Sequence, residues 1–333
     1  MSAERRAEAR KVSIIFHSAL IMLGADAAID ALDDWQDVAN TPASIVASVA
    51  RYLNRALALT SAARQEARTL ALAYLRYSRA LQTGFTFDGP QGAELGLLRD
   101  EFYETVWELA PGLLEPDGSM IDDDTGEVIV EGPEPFDFEI EVEPLPEINE
   151  DELDELSEII LREQIAESAV ESLERHQPKP GLPADDVDAQ RDEARVIAGS
   201  IVGQAVQREV VGAGREKVKE TGLKDKRVMA FARVSKTGTP CGFCAMLISR
   251  GPVYKSAASA ALTKEGGQYH GGCNCIEVEV YSIEQYNEDP RFDLNRELSK
   301  EWPGVTSGLG GKSALSAWRK HIRQKFKADR ESV

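Results

Sequence analysis

All four cysteines of this chain fall between Thr239 and Tyr281. Cys241 and Cys244 form a C-x2-C pair, and 28 residues separate it from the C-x-C pair Cys273 and Cys275, with His270 just upstream. A C-x2-C turn lets two thiolates face one tetrahedral ion, and zinc takes four such soft ligands. Five candidates stand here for four positions. Two ligand sets are open: all four cysteines, or Cys241, Cys244 and Cys275 with one of His270 and Cys273. Gly242 can take a positive φ in the first turn, which most residues resist. On an ideal strand His270 points away from Cys273 and Cys275, so it joins only if Gly271 and Gly272 bend the backbone. Structural Zn2+ is the leading expectation. Buried unligated thiols and two disulfides compete, although the absence of a secretory signal points to a reducing compartment. A catalytic thiol ranks lower, because no further orienting group is evident from spacing. Glu277 and Glu279 could serve as a general base for metal-assisted hydrolysis. Outward strand positions are the favoured reading for both.

These residues need elements to hold them. The chain is predicted to be mainly α-helical, in the α+β class, with short strands around the Cys/His module. Apolar residues recur near the 3.6 period through Met1 to Ala39 and again from Thr41-Pro42 to Thr83. A third helix is expected over Ala93 to Leu109, and Pro111-Gly112 ends it. Residues 1–112 thus form an N-terminal helical region and 113–150 an acidic, proline-rich insertion or linker. Residues 151–235 form a second helical region, 236–283 the Cys/His module and 284–333 a C-terminal extension. Within the second helical region, helix is expected at Asn149 to His176 and from Arg191 to about Arg233, with breaks at Gly212 to Gly214 and Thr221-Gly222. Ala198, Gly199, Gly203 and Ala205 would let another helix approach closely. Pro303 to Gly311 reads as a glycine-rich loop. A basic amphipathic helix follows over Ser316 to Arg330.

The net charge of −19 comes from one place. Glu115 to Glu158 holds 19 acidic residues and no Lys or Arg, and the remainder carries 38 of each sign. A solvated acidic loop or hairpin is expected there, able to contact a basic partner. Arg51, Arg55, Arg64, Arg68, Arg76 and Arg79 dot the second helix, and solvated helix surface is the favoured reading for them. In the basic C-terminal helix, Trp318, Ile322 and Phe326 would pack. Arg319, Lys320, Arg323 and Lys327 are candidates for nucleic-acid contact. Gly308 to Ser313 resembles half of a phosphate loop but has threonine where its first glycine should stand, which disfavours nucleotide binding. No stretch reaches the roughly 18 apolar residues of a membrane span, since His17, Asp26 and Asp30 interrupt the most apolar one.

The pieces CGFC at 241–244, RGPVY at 250–254 and HGGCNC at 270–275 resemble the phage Mu protein F-like family of minor head (head morphogenesis) proteins. The helix-like lead Arg227 to Arg233 fits the same layout. The resemblance covers roughly Arg191 to Tyr281. It implies a non-enzymatic structural protein of a tailed bacteriophage, acting in capsid assembly and DNA packaging or ejection near the portal. The implied partners are portal and major capsid proteins and phage DNA. The implied location is inside the virion head, with host cytoplasm during assembly. The alternatives are a metal-dependent hydrolase and a zinc-containing DNA-binding module.

Overall fold

The computed structural model describes residues 2–39, 41, 44–89, 92–121, 127–133, 138–235, 238–252 and 275–327. In chain order these form α1 (Ala3–Trp35), α2 (Ile45–Thr83), β1 (Phe85–Phe87), α3 (Leu95–Leu109), β2 (Met120–Ile121), β3 (Val128–Val130) and β4 (Glu141–Glu143). Next come α4 (Glu150–Glu163), a π-helical turn (Gln164–Ala169), α5 (Val170–Arg175), α6 (Ala184–Lys224), β5 (Ala230–Ser235) and α7 (Gly242–Ile248). After these follow β6 (Cys275–Val280), α8 (Ile283–Glu288), a 3-10 turn (Pro290–Phe292), α9 (Asp293–Thr306) and α10 (Gly311–Lys325).

The body is a pairwise packing of α1, α2 and α6, with α3 against α2. Ser2 caps α1 by accepting the Arg5 N–H at 3.2 Å. Gly84 ends α2 in the left-handed conformation, at φ 77°. Between them Phe16 stacks on Tyr74 at 4.3 Å, and Trp35 meets Tyr52 edge-on at 5.0 Å. The polar ends of these rings are satisfied. The Tyr52 hydroxyl donates to the Ala31 carbonyl at 2.9 Å, and Trp35 Nε1 donates to the Arg195 carbonyl at 3.0 Å. Contrary to expectation, α1 is long and apolar enough to cross a membrane by length and composition alone. In this fold 67 % of its most apolar window is buried, and its apolar positions belong to the core shared with α2 and α6.

Small residues set how closely the helices approach. Gly199 and Gly203 of α6 lie against Trp35 and Leu32 of α1, as expected for that stripe. Gly214, placed in an expected helix break, instead lies inside an unbroken α6. A Cβ there would come within 2.7 Å of Leu20 Cδ1 and 3.1 Å of the Ala67 carbonyl. The glycine is needed for the approach of α1 and α2, so it gives no sign of a break.

Three two-stranded sheets decorate this body. β1 and β4 pair in parallel, β2 and β3 antiparallel, and β5 and β6 antiparallel with Ala230 opposite Val280 and Ser235 opposite Cys275. Arg227 to Arg233, expected as a helical lead, is a turn running into β5. The loop expected from Pro303 is likewise shorter, since α9 continues through Pro303 to Thr306.

The largest departure concerns charge. Arg51 and Arg55 are exposed, but Arg64, Arg68, Arg76 and Arg79 are buried on α2. Arg68 makes a two-pronged contact with Asp154 at 2.8 and 2.6 Å, and Arg64 Nε adds a third bond to the same carboxylate at 2.9 Å. Arg76 pairs with Glu101 and donates to the Phe87 carbonyl at 3.2 Å. Arg79 holds Asp225 at 2.7 and 3.0 Å and also bonds Glu143. Glu143 and Asp154 belong to the acidic stretch, together with Glu150, which takes Lys217 at 2.6 Å. That stretch is therefore docked on the helical body at these points. Removing one partner of a buried pair strands the other charge. Arg79→Ala is expected to destabilise the fold by about 3–5 kcal/mol, because Asp225 stays buried without its fork. Urea unfolding of the two proteins would check this, and a loss under about 1 kcal/mol, the scale of a surface pair, would refute it.

Candidate functional site

The strands β5 and β6 divide a second core into two faces. Ile276, Val278 and Val280 point to one side and pack with Ala232, Val234 and Phe292. Cys275, Glu277 and Glu279 alternate onto the other, as strand geometry requires. Cys275 there joins Cys244, Phe231, Leu298, Trp318 and Ile322, with Cys241 at the margin. The two cysteine-bearing segments expected to meet do meet. What they form differs from the expectation.

Cys241 is the N-cap of α7, and its Sγ accepts the Cys244 N–H at 3.4 Å. Cys244 and Cys275 are buried among aliphatic and aromatic side chains, where a thiol behaves as a small apolar group. Among the described residues no three His, Cys, Asp or Glu are grouped so as to hold a metal ion. The Zn2+ expectation is corrected accordingly: Cys241, Cys244 and Cys275 cap a helix and fill a core. His270 and Cys273 lie outside the described residues. Gly242 does not take the positive φ open to it. A Cβ there would fall 2.7 Å from Arg319 Cγ and 3.0 Å from its Cα, so the glycine admits the backbone of α10 against α7.

α10 separates two kinds of residue cleanly. Trp318 and Ile322 are fully buried, and Trp318 meets Trp302 of α9 at 4.9 Å. His321 and Lys325 turn toward α9, where both bond Glu301 at 2.7 Å. Arg319, Lys320 and Arg323 are exposed on the remaining face, and Lys327 is exposed just past the helix end. At 100° per residue Arg319, Lys320 and Arg323, with Lys312, fall within an arc of about 100°.

Glu277 and Glu279 are not outward positions. Glu277 lies opposite Arg233 on the neighbouring strand, with 3.9 Å between the charged groups. Glu279 is 1 % exposed, its Oε1 has no hydrogen-bond partner, and its Cγ lies close to Gly222 of α6. Burial, only partly offset by Arg291 and reinforced by the charges of Asp225 and Glu277, pushes its carboxyl up to about 7. The contrast with Glu143 is direct. There the hydrogen bonds of Arg227 and then Arg79 pull the carboxyl down to about 2. Both shifts arise where the acidic stretch and β6 meet α2 and α6. Sequence reading missed this junction of Arg79, Glu143, Asp225, Glu279 and Arg291, because its members are far apart in the chain. The one available signal was that Arg76 and Arg79 sit in an almost unbroken run of core residues, Leu70 to Leu81.

The family model described as VG15 protein matches residues 154–299, less than half of the chain. That span takes in α6, the β5–β6 sheet and the three described cysteines, and stops before α10, which supplies Trp318 and Ile322 to their core. The Gene 15 protein of Mycobacterium phage D29 is 33 % identical over an alignment of 110 residues, which spans 25 % of this chain and 40 % of that protein. The chain thus spans less than half the length of that curated relative. No solved structure matches. The similarity is to phage proteins in general. It does not reach the narrower Mu protein F-like resemblance.

The Glu279 junction makes stability depend on pH. Its folded value lies above the ordinary 4.5. Between that pH and about 7 the native state therefore holds a proton that the unfolded chain has released. Stability falls as pH rises through this window. Glu279→Gln is expected to match the parent near pH 4.5 and to exceed it at pH 8 by about 3 kcal/mol. Urea unfolding at both pH values tests this, and a gap that does not change with pH would contradict it.

Proposed function

We propose that this chain is a non-catalytic structural protein of a tailed phage particle, a minor head component that acts in assembly near the portal. The observation that carries this reading is the similarity to a phage protein, together with a family match over the sheet and the three described cysteines. The fold is consistent with it in physical terms. The buried arginines of α2 hold helices, a strand and the acidic stretch together, and Cys244 and Cys275 fill a core. Such a body suits a component that must keep its shape while neighbours assemble on it. Major capsid and portal proteins are the partners proposed, within the virion head and, before that, in the host cytoplasm during assembly.

DNA contact is part of the same proposal. The exposed face of α10, with Arg319, Lys320, Arg323 and Lys327, is where packaged or exiting DNA would be met. Such contact is electrostatic, and its affinity falls with salt at a slope of about 0.9 per phosphate neutralised.

Two experiments test these readings. Mass spectrometry of purified particles from the encoding phage should find the chain as a virion component at low copy number. Normal, infectious particles that lack it would end the structural reading. Separately, Arg319→Glu with Arg323→Glu should weaken binding to duplex DNA at least tenfold in low salt and flatten the salt slope by about two. Unchanged binding in fluorescence anisotropy would remove DNA from the proposal and leave the assembly role standing.

A further inference from the structure

The acidic stretch is neutralised where it meets α2 and α6, but one part of it is not. α4 lies against α2 and leaves a cleft of about 370 Å³ between them. Leu57 of α2 and Leu161 of α4 line it with apolar surface, Asp151, Asp154, Glu155 and Glu158 line it with carboxylates, and Arg64 lines it beside Asp154, so four acidic groups face one basic group. These four sit at i, i+3, i+4 and i+7 on α4, so they share one helix face. Asp154 is engaged by Arg64 and Arg68. Burial of Asp154 would raise its carboxyl, and the hydrogen bonds of those two arginines reverse that and hold it low. Glu158 has only an exposed i,i+4 pair with Arg162. Among the described residues Asp151 and Glu155 are in no ion pair.

A cluster of carboxylates is ordinary on a protein surface. Two features set this one apart. Ser157, also on the cleft wall, is 4 % exposed, and its Oγ has no hydrogen-bond partner. A buried hydroxyl without a partner is unfavourable unless something reaches it. The helix then departs from α geometry directly beyond the cleft, where Gln164–Ala169 forms a π turn. Such turns insert one extra residue and recur at functional sites. One turn beyond Glu155, Ile159 is 61 % exposed on α4, so apolar surface adjoins the acidic rim.

The geometry points to the α2–α4 cleft as a docking site for a basic amphipathic segment of a partner protein, which places a lysine or arginine side chain in the cleft. The aliphatic stem of that side chain would lie along Leu57 and Leu161. Its cationic head would meet Asp151, Glu155 and Glu158, and a donor hydrogen would reach Ser157 Oγ. Apolar residues of the same segment would cover Ile159. The chemistry excludes a nucleic-acid occupant, since phosphates would face carboxylates. This names a partner chemistry for the assembly role. It rests on that reading only for where the partner is sought, because the cleft itself can be tested on the purified chain.

The test uses the full chain and a fluorescein-labelled amphipathic lysine–leucine peptide, with binding followed by anisotropy. The triple variant Asp151→Asn, Glu155→Gln, Glu158→Gln should weaken binding at least tenfold. Ser61→Trp, which fills the cleft from an exposed position on α2 without altering charge, should weaken it at least fivefold. Asp185→Asn, Asp186→Asn, Asp188→Asn removes the same charge from the exposed start of α6 and should leave affinity within twofold. If that control weakens binding as much as the first triple, or if Ser61→Trp binds as the parent does, attraction is diffuse and the site is refuted. Displacement of the peptide by spermidine at matched charge would also overturn it, by reassigning the cleft to a small polyamine. None of these outcomes bears on whether the chain is found in the particle.

Discussion

Four buried arginines on one helix organise this protein. A guanidinium cannot shed its charge on burial, so each must find acceptors wherever the fold takes it. Arg64, Arg68, Arg76 and Arg79 lie along about four and a half turns of α2, and their acceptors come from α3, β4, α4 and the residue that ends α6. Arg64 and Arg68 join α2 to α4, Arg76 joins it to α3, and Arg79 joins it to β4 and the end of α6. The apolar core shared by α1, α2 and α6 supplies the driving force for collapse, since apolar burial is non-directional. The ion pairs set where the less apolar segments attach. A carboxylate that misses its arginine leaves two buried charges unpaired, and that penalty discriminates strongly between alternative dockings.

This changes the meaning of the acidic stretch. As a sequence it reads as a solvated block that avoids the fold. In three dimensions Glu143, Glu150 and Asp154 are its anchors, and β4 pairs with β1 so that Glu143 is delivered to Arg79 and Arg227. On the wall of the α2–α4 cleft, Asp151 and Glu155 are in no ion pair among the described residues. Structural and recognition roles are therefore divided within one run of residues, and the division follows which side chains face α2.

The second core shows a similar division around β5 and β6. Alternation on β6 sends Ile276, Val278 and Val280 to one apolar layer and Cys275, Glu277 and Glu279 to the other. Cys275 completes an apolar cluster with α7, α9 and α10, while Glu279 faces the α2–α6 junction and its buried charges. The same residue type thus has opposite character at Glu143, whose carboxyl arginines pull down, and at Glu279, whose carboxyl burial pushes up. The C-terminal helix closes the cluster with Trp318 and Ile322 and leaves its basic residues outside.

The sequence alone determined the long helices, their amphipathic stripes and the short helices of the C-terminal region. These follow from local periodicity, capping and turn chemistry, which act over a few residues. It also identified Gly199 and Gly203 as close-approach positions, because a small-residue stripe on a helix has few other uses. Only the tertiary structure decided the fate of the charges and thiols. Arg64 to Arg79 and Glu279 are as polar as any surface residue, and nothing within a turn of them reveals that a partner 146 positions away, as for Arg79 and Asp225, will be buried alongside. The thiols followed the same rule. Their spacing admits a metal, a disulfide or a core, and the side chains packed around Cys244 and Cys275 made them core. Local patterns are set by neighbours in the chain, whereas burial of charge is set by neighbours in space.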